Sequence, residues 1–308
     1  MSQKSILSFL KEDTGVSTVF GALLLLAVLT VFLSAFLAIA VPAYKMSEES
    51  KKDDRLLSDI FILMESPPQK KIQKTFHTED VVLRADENSG GFLFAAFVSV
   101  PPDTSSFLRY DGKSQNSKIF DELQSPPHLS SLPPDSEYYI LSRGSLFFSC
   151  RYSQIPERSY LLEDASLLLL QKSGHVFLTP PNISIRKSND RILLSMSGDI
   201  ILSGSSPVFA NRTVVKSETL QKAEIHDFVS FLAIQYLPPN TDSFLSAKEK
   251  EQKTEAVSRY FSDLNHTIHL NFPELISEWD EENSTLLISS ESAFELDCTV
   301  REIRYSFS

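Results

Sequence analysis

The stretch VSTVFGALLLLAVLTVFLSAFLAIAV, residues 16–41, decides the fold. It has no ionisable side chain, and only Ser17, Thr18, Thr30 and Ser34 carry a polar one. As a helix its 26 residues would measure roughly 39 Å, more than the hydrocarbon core of about 30 Å. Leu, Ile, Phe and Val fill most positions, and each favours insertion at the centre of a bilayer. A buried core helix would need enclosure on every side, and nothing else in the chain is apolar enough to supply it. A secretory signal has a shorter apolar run and a small-residue cleavage site, whereas here Pro42 and Ala43 lead into charge. Residues 16–41 therefore read as a single membrane span.

Working outward, the flanks leave the orientation open. Lys4 and Lys11 precede the span with Glu12 and Asp13, while Lys45, Lys51, Lys52 and Arg55 follow it among four acidic residues. Leu56, Leu57, Ile60, Phe61 and Met64 then recur at one-turn spacing, an amphipathic face that extends the helix. Ser66-Pro67-Pro68 should stop it, because proline lacks the amide and disfavours helix in the residue before it. The simplest reading is one helix over 16–66, with a break at Pro42 as the alternative.

Beyond residue 78 the period shortens. DVVLRA and GGFLFAAFVSV read as two strands joined by a hairpin turn at Asn88-Ser89-Gly90-Gly91. Residues 101–134 hold three Pro-Pro pairs and read as loop. Strand-like runs separated by turn residues then follow through about residue 218, arguing for a β-rich domain over 78–218: an antiparallel sandwich, roll or solenoid-like sheet. Residues 219–308 read as a mixed helix-and-strand part packing on it. DFVSFLAIQY, 227–236, suits a helix or a strand. Ser246 and Glu249 have capping-box spacing, opening a helix through Leu264. Phe294, Leu296, Cys298 and Val300 alternate as on a strand with one buried face.

Net charge is −11 and the isoelectric point near 5.1, without a basic run, which argues against nucleic acid as a partner. No HExxH, GxSxG or calcium-loop spacing occurs, and His77, His128, His175 and His226 are scattered. His266 and His269 would face opposite ways on a strand. No catalytic residue, cofactor site or metal site emerges, so the chain does not read as an enzyme. Cys150 and Cys298 are either two buried thiols or, outside the cell, a disulfide closing a loop of about 150 residues, worth roughly 4–5 kcal/mol. Asn182, Asn211, Asn265 and Asn283 each begin an Asn-x-Ser/Thr triplet, a glycan acceptor in an exported chain and otherwise a turn or strand end.

KEDTGVSTVFGALLLLAVL followed by AIAVPAYKMSEES resembles the amino end of archaeal type IV pilin-like proteins. GSLFFSCRYSQIPERSYLLEDASLLLLQKSGHVFLTPP is similar, more loosely, to an uncharacterised group of such proteins with β-rich ectodomains. The resemblance implies a leader over 1–15, cut by a prepilin peptidase between Gly15 and Val16. It also implies close helix packing at Gly21 and other pilin-like subunits as partners alongside the bilayer. Thr14 stands where the family commonly has a charged residue, and Phe20 stands at the fifth mature position, where bacterial pilins carry glutamate. The implied protein is a single-pass surface protein with its carboxy-terminal domain outside the cell, a minor filament subunit or adhesin. The alternative is a tethered binding module for glycans or surface polymers, with Tyr138, Tyr139, Tyr152 or Tyr236 exposed along a groove.

Overall fold

A computed structural model describes residues 4–65, 71–97, 137–163, 165–189, 191–203, 212–282 and 284–308. The long loop expected over 101–134 and the Pro67-Pro68 stop lie outside these residues. A long apolar helix is followed by a β-rich, mostly antiparallel sheet domain. Helix α1, Lys4–Glu65, runs through Pro42 without interruption. Met1–Asp54 and Ser153–Ile155 make up one compact unit, and Arg55–Tyr152 with Pro156–Ser308 make up the other.

The second unit is built on a sheet of 11 strands. They are β1 Lys71–His77, β2 Val81–Phe97, β3 Glu137–Cys150, β4 Arg158–Glu163, β5 Ser166–Gln171, β6 Gly174–Thr179, β7 Ile183–Ser188, β8 Arg191–Ser203, β9 Arg212–Leu237, β10 Ile276–Asp280 and β11 Thr285–Phe307; helix α2 is Ala247–Asn271. The order is β6-β5-β4-β3-β2-β9-β11-β8-β7, with β1 on β9 and β10 on β11. Consecutive hairpins account for β3 to β6. The pairing of β8 with β11 is parallel, which departs from the all-antiparallel expectation. A further parallel contact at Arg143↔Ile200 joins β8 to β3, so β3, β2, β9, β11 and β8 form a closed circuit. Gly144 lies at this seam with φ +90, where an added Cβ would stand 3.0 Å from that of Ile201. The close approach and the left-handed backbone both require glycine.

One sequence expectation changes here, and one open alternative is decided. Asn88-Ser89-Gly90-Gly91 is not a hairpin turn. It lies within β2, where the register against β3 jumps between Asp86 and Gly91 and the strand then continues. Gly90 has φ +93, and a Cβ there would sit 2.4 Å from the Leu237 carbonyl oxygen. The bulge is thus specified by the neighbouring chain rather than by local turn chemistry. DFVSFLAIQY is strand, part of β9, because β2 and β11 pair with its two edges. The residues after 219 accordingly supply central strands of the same sheet as those before it.

The irregularities divide the core. Phe92, Phe94 and Ala96 belong to a cluster with Leu296, Cys298 and Val300, against which Val257, Phe261 and Ile268 of α2 pack. Val81, Leu83 and Ala85 belong to a second cluster with Ile303, Tyr305 and Phe307, closed by Leu56, Ile60 and Leu63 of α1. In β2 the change falls at the Asp86/Gly91 bulge, and in β11 at the shift between Glu302 and Ile303. The members of a cluster alternate along each strand, and their numbering parity switches where the strand passes from one cluster to the other.

Helix α2 is capped as its sequence requires: the Ser246 hydroxyl accepts from the Glu249 amide, and Glu249 Oε2 accepts from the Ser246 amide at 2.9 Å. It continues beyond Leu264 to Asn271. Its Lys253 is 1 % exposed, and its ammonium donates to the Ser89 carbonyl at 2.6 Å and to Glu163. Burial pushes the Glu163 carboxyl up; Lys253 opposes that rise and nearby Asp86 adds to it. Removing one member of a buried pair strands the other. Lys253→Met should therefore destabilise the full-length protein by about 3–5 kcal/mol, and adding Glu163→Leu should recover much of the loss. Denaturation followed through Trp279, the sole tryptophan, stacked 5.2 Å from Phe261, reads both.

Candidate functional site

The first candidate is the apolar part of α1. Its side chains are bare on every face: Phe20 is 69 % exposed, Leu24 70 %, Phe32 76 % and Ile39 75 %. A helix packed in a protein core buries a stripe, and one apolar all round belongs in a nonaqueous setting. This helix is long and apolar enough to cross a membrane. Thr30, one of its few polar side chains, bonds back to the Leu26 carbonyl at 2.7 Å, which removes its hydroxyl from competition. Gly15 and Val16 lie in the same continuous helix, and Gly21 has no heavy atom within 4 Å of the place a Cβ would take. Gly21 is thus an open notch on the helix surface.

Past the apolar segment, Glu49 receives a cluster of donors. Its Oε1 accepts from the Ser153 amide at 2.9 Å and hydroxyl at 2.6 Å, and its Oε2 from the amides of Gln154 at 2.7 Å and Ile155 at 3.0 Å. Removal from water pushes its pKa up, but these hydrogen bonds from Ser153, Gln154 and Ile155 outweigh that and hold it at about 2. In sequence Glu49 is one acid in a charged run, with nothing to distinguish it from Glu48.

The second candidate lies on the sheet domain, where β2 to β5 and the start of α2 border a groove of about 560 Å³. Arg84, Arg151, Arg158, Lys172 and Lys248 line it, against the carboxylates of Glu157 and Glu249. Glu249 is committed to the α2 cap and also accepts from the Ser159 hydroxyl at 2.7 Å. The Arg84 guanidinium lies 4.9 Å over the Phe244 ring, and its Nε is buried without a hydrogen-bond partner among the described residues. These cations come from separate segments, so no basic run announces them.

Beside this groove a polar cluster fixes the β2 bulge. Asp86 accepts from the Asn88 amide at 2.9 Å, the Ser243 hydroxyl at 2.7 Å and the Phe244 amide at 3.0 Å. Arg143 donates to the Glu87 carbonyl and to Asn88 Oδ1, both at 2.8 Å. These bonds satisfy groups that the bulge removes from the ladder, a structural task.

The remaining sequence candidates do not converge. Cys150 and Cys298 are buried thiols in different core clusters, so the disulfide between them is not formed. His266 and His269 lie one turn apart on α2, not on a strand, and both face solvent. Among the described residues no three of His, Cys, Asp or Glu are grouped to hold a metal ion. Tyr236 is buried beside Phe92, with ring centroids 5.9 Å apart, so it offers no exposed platform; Tyr152 is half-buried, and the side chains of Tyr138 and Tyr139 lie outside the described ones. Asn182 is exposed, its Nδ2 donating to the Ser197 hydroxyl at 3.1 Å, and Asn265 is half-buried within α2. Asn211 and Asn283 lie outside the described residues.

Compared with protein families, curated proteins and solved structures, the chain matches none.

Because the Glu49 pKa is depressed, its contribution is complete above the ordinary carboxylate range near 4.5 and is lost as pH falls towards about 2. Glu49→Gln at neutral pH should reproduce the acid form. Hydrogen exchange at the amides of Ser153, Gln154 and Ile155 should quicken in that variant, while exchange within the sheet stays unchanged.

Proposed function

We propose that this chain is a pilin-like, single-pass surface protein whose apolar helix sits in the membrane and whose sheet domain lies outside the cell. The carrying observation is the bareness of α1 between Val19 and Val41, where large apolar side chains face outward in all directions. A bilayer satisfies that surface, and so does a bundle of like helices, where the notch at Gly21 allows close approach. The resemblance of KEDTGVSTVFG to archaeal type IV pilin-like leaders supports cleavage between Gly15 and Val16 by a prepilin peptidase. The cut frees the helix to leave the bilayer for a filament, as a minor subunit or adhesin. The exposed Asn182 is the glycan acceptor favoured by this reading.

A second reading, a tethered binding module that never enters a filament, is favoured by the cationic groove. It needs the same anchor and the same outward domain.

Mass spectrometry of protein extracted from the membranes of cells producing it separates the two. The filament reading expects a chain beginning at Val16, and Gly15→Leu should leave residues 1–15 attached. A native chain that keeps Met1 overturns it in favour of a plain anchor. Protease treatment of intact cells should release sheet-domain fragments; fragments released only after lysis would overturn the outward placement common to both readings.

A further inference from the structure

We infer that the groove between β2, β3, β4, β5 and the start of α2 binds an acidic saccharide, a short run of sugars bearing carboxylate or sulfate groups. The inference deepens the tethered-module reading, which supplies the setting in which such a polymer would be met. Three observations carry it.

The first is charge. A chain of net charge −11 brings five cations to one groove of about 560 Å³, against the two carboxylates of Glu157 and Glu249. Among the described residues Arg84, Arg151, Lys172 and Lys248 are paired with no carboxylate. Such an excess gives the groove a positive potential that attracts an anion.

The second is Arg84. Its guanidinium carbon lies 4.9 Å over the Phe244 ring, which holds the group at the groove wall with Nε enclosed, and a planar guanidinium suits a carboxylate or sulfate. The third is the rest of the lining. Ser149 and Gln171 place a hydroxyl and an amide among the cations, matching the hydroxyls of sugar rings, while Gln252 donates its Nε2 to the Gln171 carbonyl at 2.8 Å. The volume falls within the range of sites that take a compact ligand. A single-stranded nucleic acid would want open aromatic faces for its bases, and the exposed ring of Phe244 already carries Arg84 on one face.

The test is calorimetric titration of the full-length protein in detergent micelles at low salt. The probes are trigalacturonate, a sulfated trisaccharide, neutral maltotriose and a short single-stranded DNA. Binding of one or both acidic saccharides is expected, with maltotriose silent and affinity falling as salt is raised. Which of the two binds distinguishes carboxylate from sulfate. Arg84→Gln should weaken binding on the order of tenfold, the loss of one charge-assisted hydrogen bond. Arg151→Gln and Lys172→Gln change exposed side chains and carry the test should Arg84→Gln alter the denaturation midpoint. Silence with both acidic saccharides, equal binding of maltotriose, tighter binding of DNA, or affinity unchanged in all three variants would overturn the inference. Because the protein is purified, these outcomes bear on the ligand whatever protease treatment of cells says about placement.

Discussion

The ladder between β9 and β11 is the constraint on which the sheet domain rests. It runs from Thr285↔Gln235 to Phe307↔Val215, and the other edge of β9 accepts β2 at one end and β1 at the other. With both edges occupied, β9 cannot slip by a residue without turning buried Leu232, Ile234 and Tyr236 to the opposite face. Register fixed there propagates. It sets where β2 must bulge past the Leu237 carbonyl, and it sets how β11 offers its far edge to β8. The buried ammonium of Lys253, reaching the Ser89 carbonyl inside that bulge, then locks α2 to the same register.

Local chemistry made part of this legible. The capping box at Ser246 and the alternation from Phe294 to Val300 depend on residues close in sequence, and both are present. What could not be read depends on partners far away. Asn88-Ser89-Gly90-Gly91 has the composition of a tight turn, and only the passing of residues 237–239 makes it a bulge. The apolar spacing of DFVSFLAIQY suits either period, and pairing on both edges decides for strand. Lys253 sits in the charged first half of α2, where a solvated side chain is the natural expectation, and its burial is invisible without Glu163.

The candidate sites divide along the same line. Residues 16–41 declare themselves because a membrane-length apolar run is a one-dimensional signal. The groove does not, since Arg84, Arg151, Arg158, Lys172 and Lys248 arrive from β2, the ends of neighbouring hairpins and a helix in an acidic chain. Glu49 is likewise one acid among several until the amides of Ser153, Gln154 and Ile155 gather on it. Desolvation alone would raise its pKa; only the donors reverse the sign.

The closed circuit of five strands has a consequence for recognition. A ring with so few staves is filled by its own side chains, because it takes about eight strands to enclose even one small ligand. A polymer ligand would therefore be met on the outer wall, gripped midway along its length with both ends running on.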